Sequence, residues 1–252
     1  MADPVLKAAR VTKHFRGLTA VDNVTLDLAV GELHAVIGPN GAGKSTLVNV
    51  LSGDLAPTSG SIQLDGREVA YSSADERSRL GIGRSYQRTN VFAPFTVLEN
   101  CRLAAQSRSP HPLNWWRRAA SYRSITAAAE QALAAVGLES RAGTIAGTLS
   151  HGEQRQLDLA MCLATDPRVL LLDEPLGGTG PQEAARMVRL LDQLRRKHAI
   201  LLVEHDMDAV FALAQVLTVM VNGAVLACGK PEEIRLSPEV QRAYLGRPET
   251  DV

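Results

Sequence analysis

Nine residues, GPNGAGKST at 38–46, constrain this chain of 252 residues more than any others. They fill the pattern G-x-x-x-x-G-K-[ST] with Gly38, Gly43, Lys44 and Ser45. The apolar run Leu33–Ile37 before them reads as a buried strand, and Ser45–Leu51 after them as a helix. Glycines let the backbone wrap closely round an anion without Cβ clashes. The amides from Gly41 to Thr46 then converge at a helix N-terminus, where negative charge is favoured. An ordinary glycine-rich turn is the competing reading, and the full match in strand–loop–helix context disfavours it.

The fitting ligand is a nucleoside triphosphate, ATP above all. Gly38, Pro39, Asn40, Gly41, Ala42, Gly43, Lys44, Ser45 and Thr46 would cradle its phosphates. Lys44 supplies a positive charge between the β- and γ-phosphates, and the Ser45 hydroxyl is a Mg²⁺ ligand.

The rest of the chain suits an α/β core. Val169–Leu172, Ile200–Val203 and Leu217–Val221 are short continuous apolar runs, as parallel strands covered on both faces tend to be. Val5–Val11, Val24–Val30 and Ser61–Leu64 sit among Gly and Asp turn signals and read as a more open, antiparallel sheet. Ile125–Val136 (ITAAAEQALAAV) has strong helix propensity. A helical insert is expected from about Gln87 to Leu163, with an exposed loop at Gln106–Arg118, where two prolines break the pattern. Lys+Arg and Asp+Glu are both 27, and a zero net charge weakens a nucleic-acid reading. Cys101, Cys162 and Cys228 have neither disulfide nor metal-ligand spacing, so a reducing cytoplasm is the simplest compartment. No apolar run approaches the roughly 20 residues needed to span a bilayer, and MADPVLKAARVTKHF has no signal-peptide core. The chain is expected to be soluble by itself, with any membrane role exercised through partners.

The run VLLLDE at 169–174 delivers two carboxylates to the end of a buried strand, where open α/β sheets bind ligands. Asp173 is placed to hold Mg²⁺ through its water shell, and Glu174 to orient and activate a water. Alone, the pair reads equally as a solvated strand end; beside the phosphate loop the first reading gains. His205, after Ile200–Val203, could donate to a γ-phosphate or to the attacking water, or be structural. Gln87 could reach the metal or water through its amide, or be a solvated loop residue. Ser150 and Glu153 in LSHGE form an S-x-x-E capping box ahead of a helical run. The same helix end, with Ser150 and Gly152, makes a good anion site.

In order and spacing, GPNGAGKST, Gln87, LSHGEQRQ at 149–156, VLLLDEP at 169–175 and EHD at 204–206 resemble the ATP-binding-cassette (ABC) ATPases over nearly the whole chain. The resemblance implies a P-loop NTPase (RecA-like) core with an antiparallel β subdomain and an inserted α-helical subdomain. It divides residues 1–252, one nucleotide-binding domain, into a core with the β subdomain at 1–86 and 164–252 and a helical part at 87–163. It implies a head-to-tail dimer with two ATP molecules sandwiched between subunits. Ser150, Gly152 and Glu153 would then lie at the nucleotide held by the other subunit. Phe15 aligns with the aromatic that stacks on adenine, against the simpler reading of a core phenylalanine.

A closer likeness is to the ATPase subunits of branched-chain amino-acid (Liv-type) importers. It rests on VTKHFRGLTAVDNVTLDL at 11–28, GIGRSYQ at 81–87, VEHDMDAVF at 203–211 and GKPEEIRLSPEVQRAYLG at 229–246, within a C-terminal tail at 229–252. It implies transmembrane permease subunits, a second ATPase subunit that is identical or different, and a periplasmic or extracellular solute-binding protein. The chain would lie on the cytoplasmic face of the membrane, and the solute would be a branched-chain amino acid, an amide or urea. Two positions depart from the common ABC pattern. His151 stands where most members have Gly, and PLGGTGPQE at 175–183 lacks the usual aspartate, with Gly180 near its place. The rival from another class is a soluble ABC protein acting on nucleic acid or ribosomes; such proteins carry two cassettes or a long coiled coil, and this chain has neither. A second rival, a regulatory module without turnover, sits poorly with Glu174 and His205.

Overall fold

Three apolar runs, each buried at every position, decide the centre of the molecule: β3 (Leu33–Ile37), β7 (Val169–Asp173) and β8 (Ala199–Val203). Successive side chains of a strand face opposite sides of its sheet. A run buried throughout must therefore be covered twice. The computed structural model describes residues 3–87, 90–108 and 122–244, with no side chains given for 243 and 244.

The central sheet has the order β10-β9-β3-β8-β7-β6, with β6 at Ile82–Arg84, β9 at Val216–Val221 and β10 at Ala224–Gly229. All its pairings are parallel except β10 on β9. On one face, Val36, Leu171, Leu201 and Val203 pack with helix α1 (Lys44–Ser52) and a second sheet. That sheet is antiparallel, in the order β2-β1-β4-β5: β1 Leu6–Phe15, β2 Leu18–Leu28, β4 Ser59–Leu64 and β5 Arg67–Glu68. On the other face, Leu33, Ala35, Ile37, Leu170, Leu172, Ile200 and Leu202 meet the helices.

Between β6 and β7 the chain runs through α3 (Val97–Gln106), α4 (Arg123–Val136) and α5 (His151–Ala164). Ala129, Ala132 and Leu133 of α4 pack into the same core as Leu157 and Ala160 of α5. A short α2 (Ala74–Leu80) precedes β6; α6 (Pro181–Leu194) and α7 (Met207–Leu213) flank β8; α8 (Pro231–Leu236) and α9 (Pro238–Tyr244) end the described chain. Gln106 is still helical, and the expected loop continues past residue 108 outside the described residues, as does the tail beyond 244. β1 extends beyond the expected Val5–Val11 because its polar positions, Lys13 and His14 among them, lie at the solvent side of an open sheet. This is an α/β fold with a parallel core sheet, an antiparallel sheet and a helical insertion.

Candidate functional site

The phosphate loop joins the C-terminal end of β3 to α1, wedged between β2 and β9. Gly43 has φ 98, and a Cβ there would stand 2.1 Å from the Ala20 carbonyl oxygen; at Gly38 it would stand 2.1 Å from that of Met220. Side chains at either position would push the loop off the sheets. Helix α1 starts on Gly43 with no side-chain cap and no acid in its first turn, a helix end suited to an external anion. Lys44 Nζ donates to the carbonyls of Gly38 (2.7 Å) and Pro39 (3.1 Å). Burial lowers the Lys44 pKa, with Glu174 and Asp173 opposing.

A cleft of about 730 Å³ opens over the loop. Asn40 to Thr46, Phe15, Gln87 and Glu174 all line it. Phe15 is 42% exposed, so it is not a core phenylalanine, and Lys13 Nζ lies 5.2 Å from its ring centroid. Thr19, Ala20 and Asn222 also line the cleft, although nothing in their local sequence marks them as site residues.

Of the acid pair, Glu174 lines the cleft and Asp173 stands just before it on β7. Asp173, the last residue of β7, is buried, and its Oδ1 has no partner among the described residues. Burial raises its pKa, with Arg84, Ser45 and Lys44 opposing. An orphaned carboxylate oxygen beside the Ser45 hydroxyl offers hard oxygen donors, which fit Mg²⁺ or its water shell, and the Gln87 amide stands on the neighbouring Glu174. Glu174 sits at φ 52, in the left-handed region that a non-glycine residue rarely adopts. Its N–H donates to the Val203 carbonyl at 2.9 Å, and its Oε2 accepts from Gln87 Nε2 at 3.0 Å. The strained turn thus aims the carboxylate into the cleft instead of along the strand.

His205 follows β8, beside Glu174, because Asp173 is in register with Val203. Its side chain is largely exposed and does not line the cleft. The neighbouring Glu204 is buried and accepts from the N–H groups of Leu176 (2.7 Å) and His205 (3.1 Å). Burial raises its pKa. Glu204 therefore ties the loop after Glu174 to the His205 segment. Nothing local in the EHD run that it opens marks this tie, which only the fold creates.

The Ser150 region stands apart. Ser150 Oγ accepts from the Glu153 N–H at 3.2 Å, and Glu153 Oε2 accepts from the Ser150 N–H at 2.9 Å, which completes the capping box. Arg141 Nε donates to Glu153 Oε1 at 2.9 Å, so that carboxylate is fully engaged. Ser150, Gly152 and Glu153 line a separate cleft of about 230 Å³ with Thr179, Glu183 and Met187. A Cβ on Gly152 would lie 2.4 Å from the Glu183 carboxyl carbon. His151 is exposed, its Nε2 3.2 Å from where a Cβ on Gly178 would stand.

Residues 21–177 match the family described as ABC transporter, and residues 224–250 match the branched-chain amino acid ATP-binding cassette transporter family. The high-affinity branched-chain amino acid transport ATP-binding protein BraF of Pseudomonas aeruginosa is 40% identical, over 98% of this chain and 99% of its own. The corresponding LivG protein of Escherichia coli K12 is 37% identical over 98% and 99%. A solved nucleotide-free ATP-binding cassette from an ABC transporter aligns with a TM-score of 0.86 at 27% identity, covering 97% of this chain and all of that one. A dimeric cassette in a post-hydrolysis state with ADP and Pi aligns at 0.77 and 26% identity, covering 90% and 98%.

Proposed function

The chain belongs to the ABC transporter ATP-binding family, and from that premise we propose how its two clefts work. It is the ATP-binding and ATP-hydrolysing subunit of a transporter. The phosphate loop holds the triphosphate, with Lys44 against its negative charge and Phe15 stacked on the base. Ser45, Asp173 and Gln87 would hold Mg²⁺, which neutralises phosphate charge when bound. A water held by Gln87 and Glu174 attacks the γ-phosphorus. Glu174 takes the water proton, the bond to the β-phosphate oxygen breaks, and ADP and inorganic phosphate result. His205 donates to the γ-phosphate from the adjoining strand end.

Ser150 and Gly152 close over the nucleotide of a second ATPase subunit, another copy or a sister chain. The head-to-tail dimer closes with ATP and reopens once the γ-phosphate bridge is gone. Permease subunits in the membrane, contacted through the helical insert at 87–163, convert that motion into import, with a solute-binding protein presenting the cargo. The chain therefore works peripherally on the cytoplasmic face. The names of the relatives favour branched-chain amino acids as cargo.

One observation carries this reading: Glu174, turned into the phosphate cleft at φ 52, has its carboxylate held by Gln87 at 3.0 Å. Glu174→Gln should lower ATP turnover about 100-fold or more while leaving ATP bound. Gel filtration with ATP should then find that variant as a dimer. Turnover at the wild-type rate would remove Glu174 from the role of base.

A further inference from the structure

Helix α5, capped by Ser150, presents a polar stripe inward. Arg155, Asp158 and Cys162 recur at helical spacing and all reach the backbone of Arg84, Tyr86 or Asn90. Arg155 NH1 donates to the Tyr86 carbonyl at 3.2 Å. Asp158 Oδ1 accepts from the Asn90 N–H at 3.4 Å, and the Tyr86 N–H also faces this carboxylate. Cys162 Sγ donates to the Arg84 carbonyl at 2.7 Å. Tyr86 and Asn90 bracket Gln87, whose amide reaches Glu174.

Asp158 is buried at 6% exposure. Burying a carboxylate is costly unless it is hydrogen-bonded, and an apolar side chain would join α5 to its neighbours at lower cost. Here the carboxylate is spent on the backbone of the Gln87 segment. We propose that Asp158 is a positioning residue for Gln87, tying the helix that carries Ser150 to the segment that brings Gln87 into the nucleotide cleft. A shift of α5 at its Ser150 end is thereby transmitted to Gln87, and the reverse. A cavity of about 240 Å³ beside Asp158, also lined by Tyr86, Asn90 and Arg84, gives the joint room to move. This inference rests on the role proposed for Gln87.

The test is steady-state ATP hydrolysis by the full-length chain with Gln87→Ala, Asp158→Ala, the double variant and Asp158→Glu. Gln87→Ala and Asp158→Ala should each lower kcat about tenfold, the loss expected from misplacing a site group. KM for ATP should stay within about twofold, because the phosphate loop is untouched. The double variant should be no slower than Gln87→Ala alone. Asp158→Glu, for which the cavity has space, should regain most of the rate. Should the alanine variant fail to fold, Asp158→Leu, close in size and without an acceptor, carries the same comparison. A wild-type kcat for Asp158→Ala, losses that multiply in the double variant, or a KM that rises as kcat falls would each overturn the inference. A wild-type rate for Gln87→Ala would instead overturn the role of Gln87, and this inference with it.

Discussion

The two clefts each end on a helix N-terminus, yet they are furnished in opposite ways. Helix α1 begins on a glycine, with no side-chain cap, no acid in its first turn, and Lys44 inside the loop. Helix α5 begins with a complete capping box, and two carboxylates, Glu153 and Glu183, lie around Ser150 and Gly152. The first end is built to receive an anion from outside. The second already engages two of its amides, those of Ser150 and Glu153, with its own side chains. On the function proposed above, what remains of this helix end meets a nucleotide already held by another subunit.

That contrast can be broken most forcefully at Lys44. Lys44→Ala should weaken ATP binding about 100-fold, the loss of a charge-assisted contact to phosphate, as read by equilibrium dialysis. An unchanged affinity would mean that the loop is not the nucleotide's anchor. Ser150→Ala should do the opposite: ATP affinity of the isolated chain within about twofold of wild type, and turnover down about tenfold. It should also lose about 1 kcal/mol of stability with the cap, measurable by urea unfolding. A matching loss of ATP affinity would put Ser150 in the same cleft as Lys44.

Acid should separate the two regions more gently. His34, in β3 behind the phosphate loop, is buried with Nε2 2.8 Å from Thr218 Oγ1, and burial lowers its pKa from 6.5 to about 4. Unfolded chains take up that proton near 6.5 and the folded chain does not. Its contribution is therefore present above pH 6.5 and lost as pH falls towards 4, up to about 3 kcal/mol. Asp158 runs the other way. Burial raises its pKa to about 6, against Arg155 and the backbone N–H groups, with Cys162 also facing it. Its ionised form costs stability above pH 6, and acid relieves that cost down to its ordinary 3.8. Urea unfolding should find Asp158→Asn more stable than wild type at pH 8, by up to about 3 kcal/mol, and no more stable at pH 4. His34→Gln should flatten the acid loss between pH 6.5 and 4. A steep acid loss that persists in His34→Gln would place it elsewhere.

Local signals carried much of this architecture. A glycine loop between a buried run and a helix could be read directly, and so could four apolar residues delivering Asp173 and Glu174 to a strand end. The S-x-x-E spacing announced the cap at Ser150. Contacts between distant segments left no such signal. β6, only three residues long, is a strand because β7 pairs with it. Asp158 is an unremarkable helical acid until α5 packs against Tyr86 and Asn90. Glu204 was in view within EHD, but only the fold sets it against the Leu176 amide. The turn at Glu174 is likewise imposed by its bond to Val203, a partner 29 residues on.

On the proposed function, one working site needs the phosphate loop of one subunit and the Ser150 face of another. Mixing Lys44→Ala chains with Ser150→Ala chains separates shared from self-contained sites. Half of the dimers formed at random are mixed, and each holds one intact composite site and one doubly broken one. ATP turnover should return to roughly a quarter of the wild-type rate, although neither variant alone approaches it. If each chain instead completed its own site, every site in the mixture would stay broken, and turnover would remain the average of the two variants.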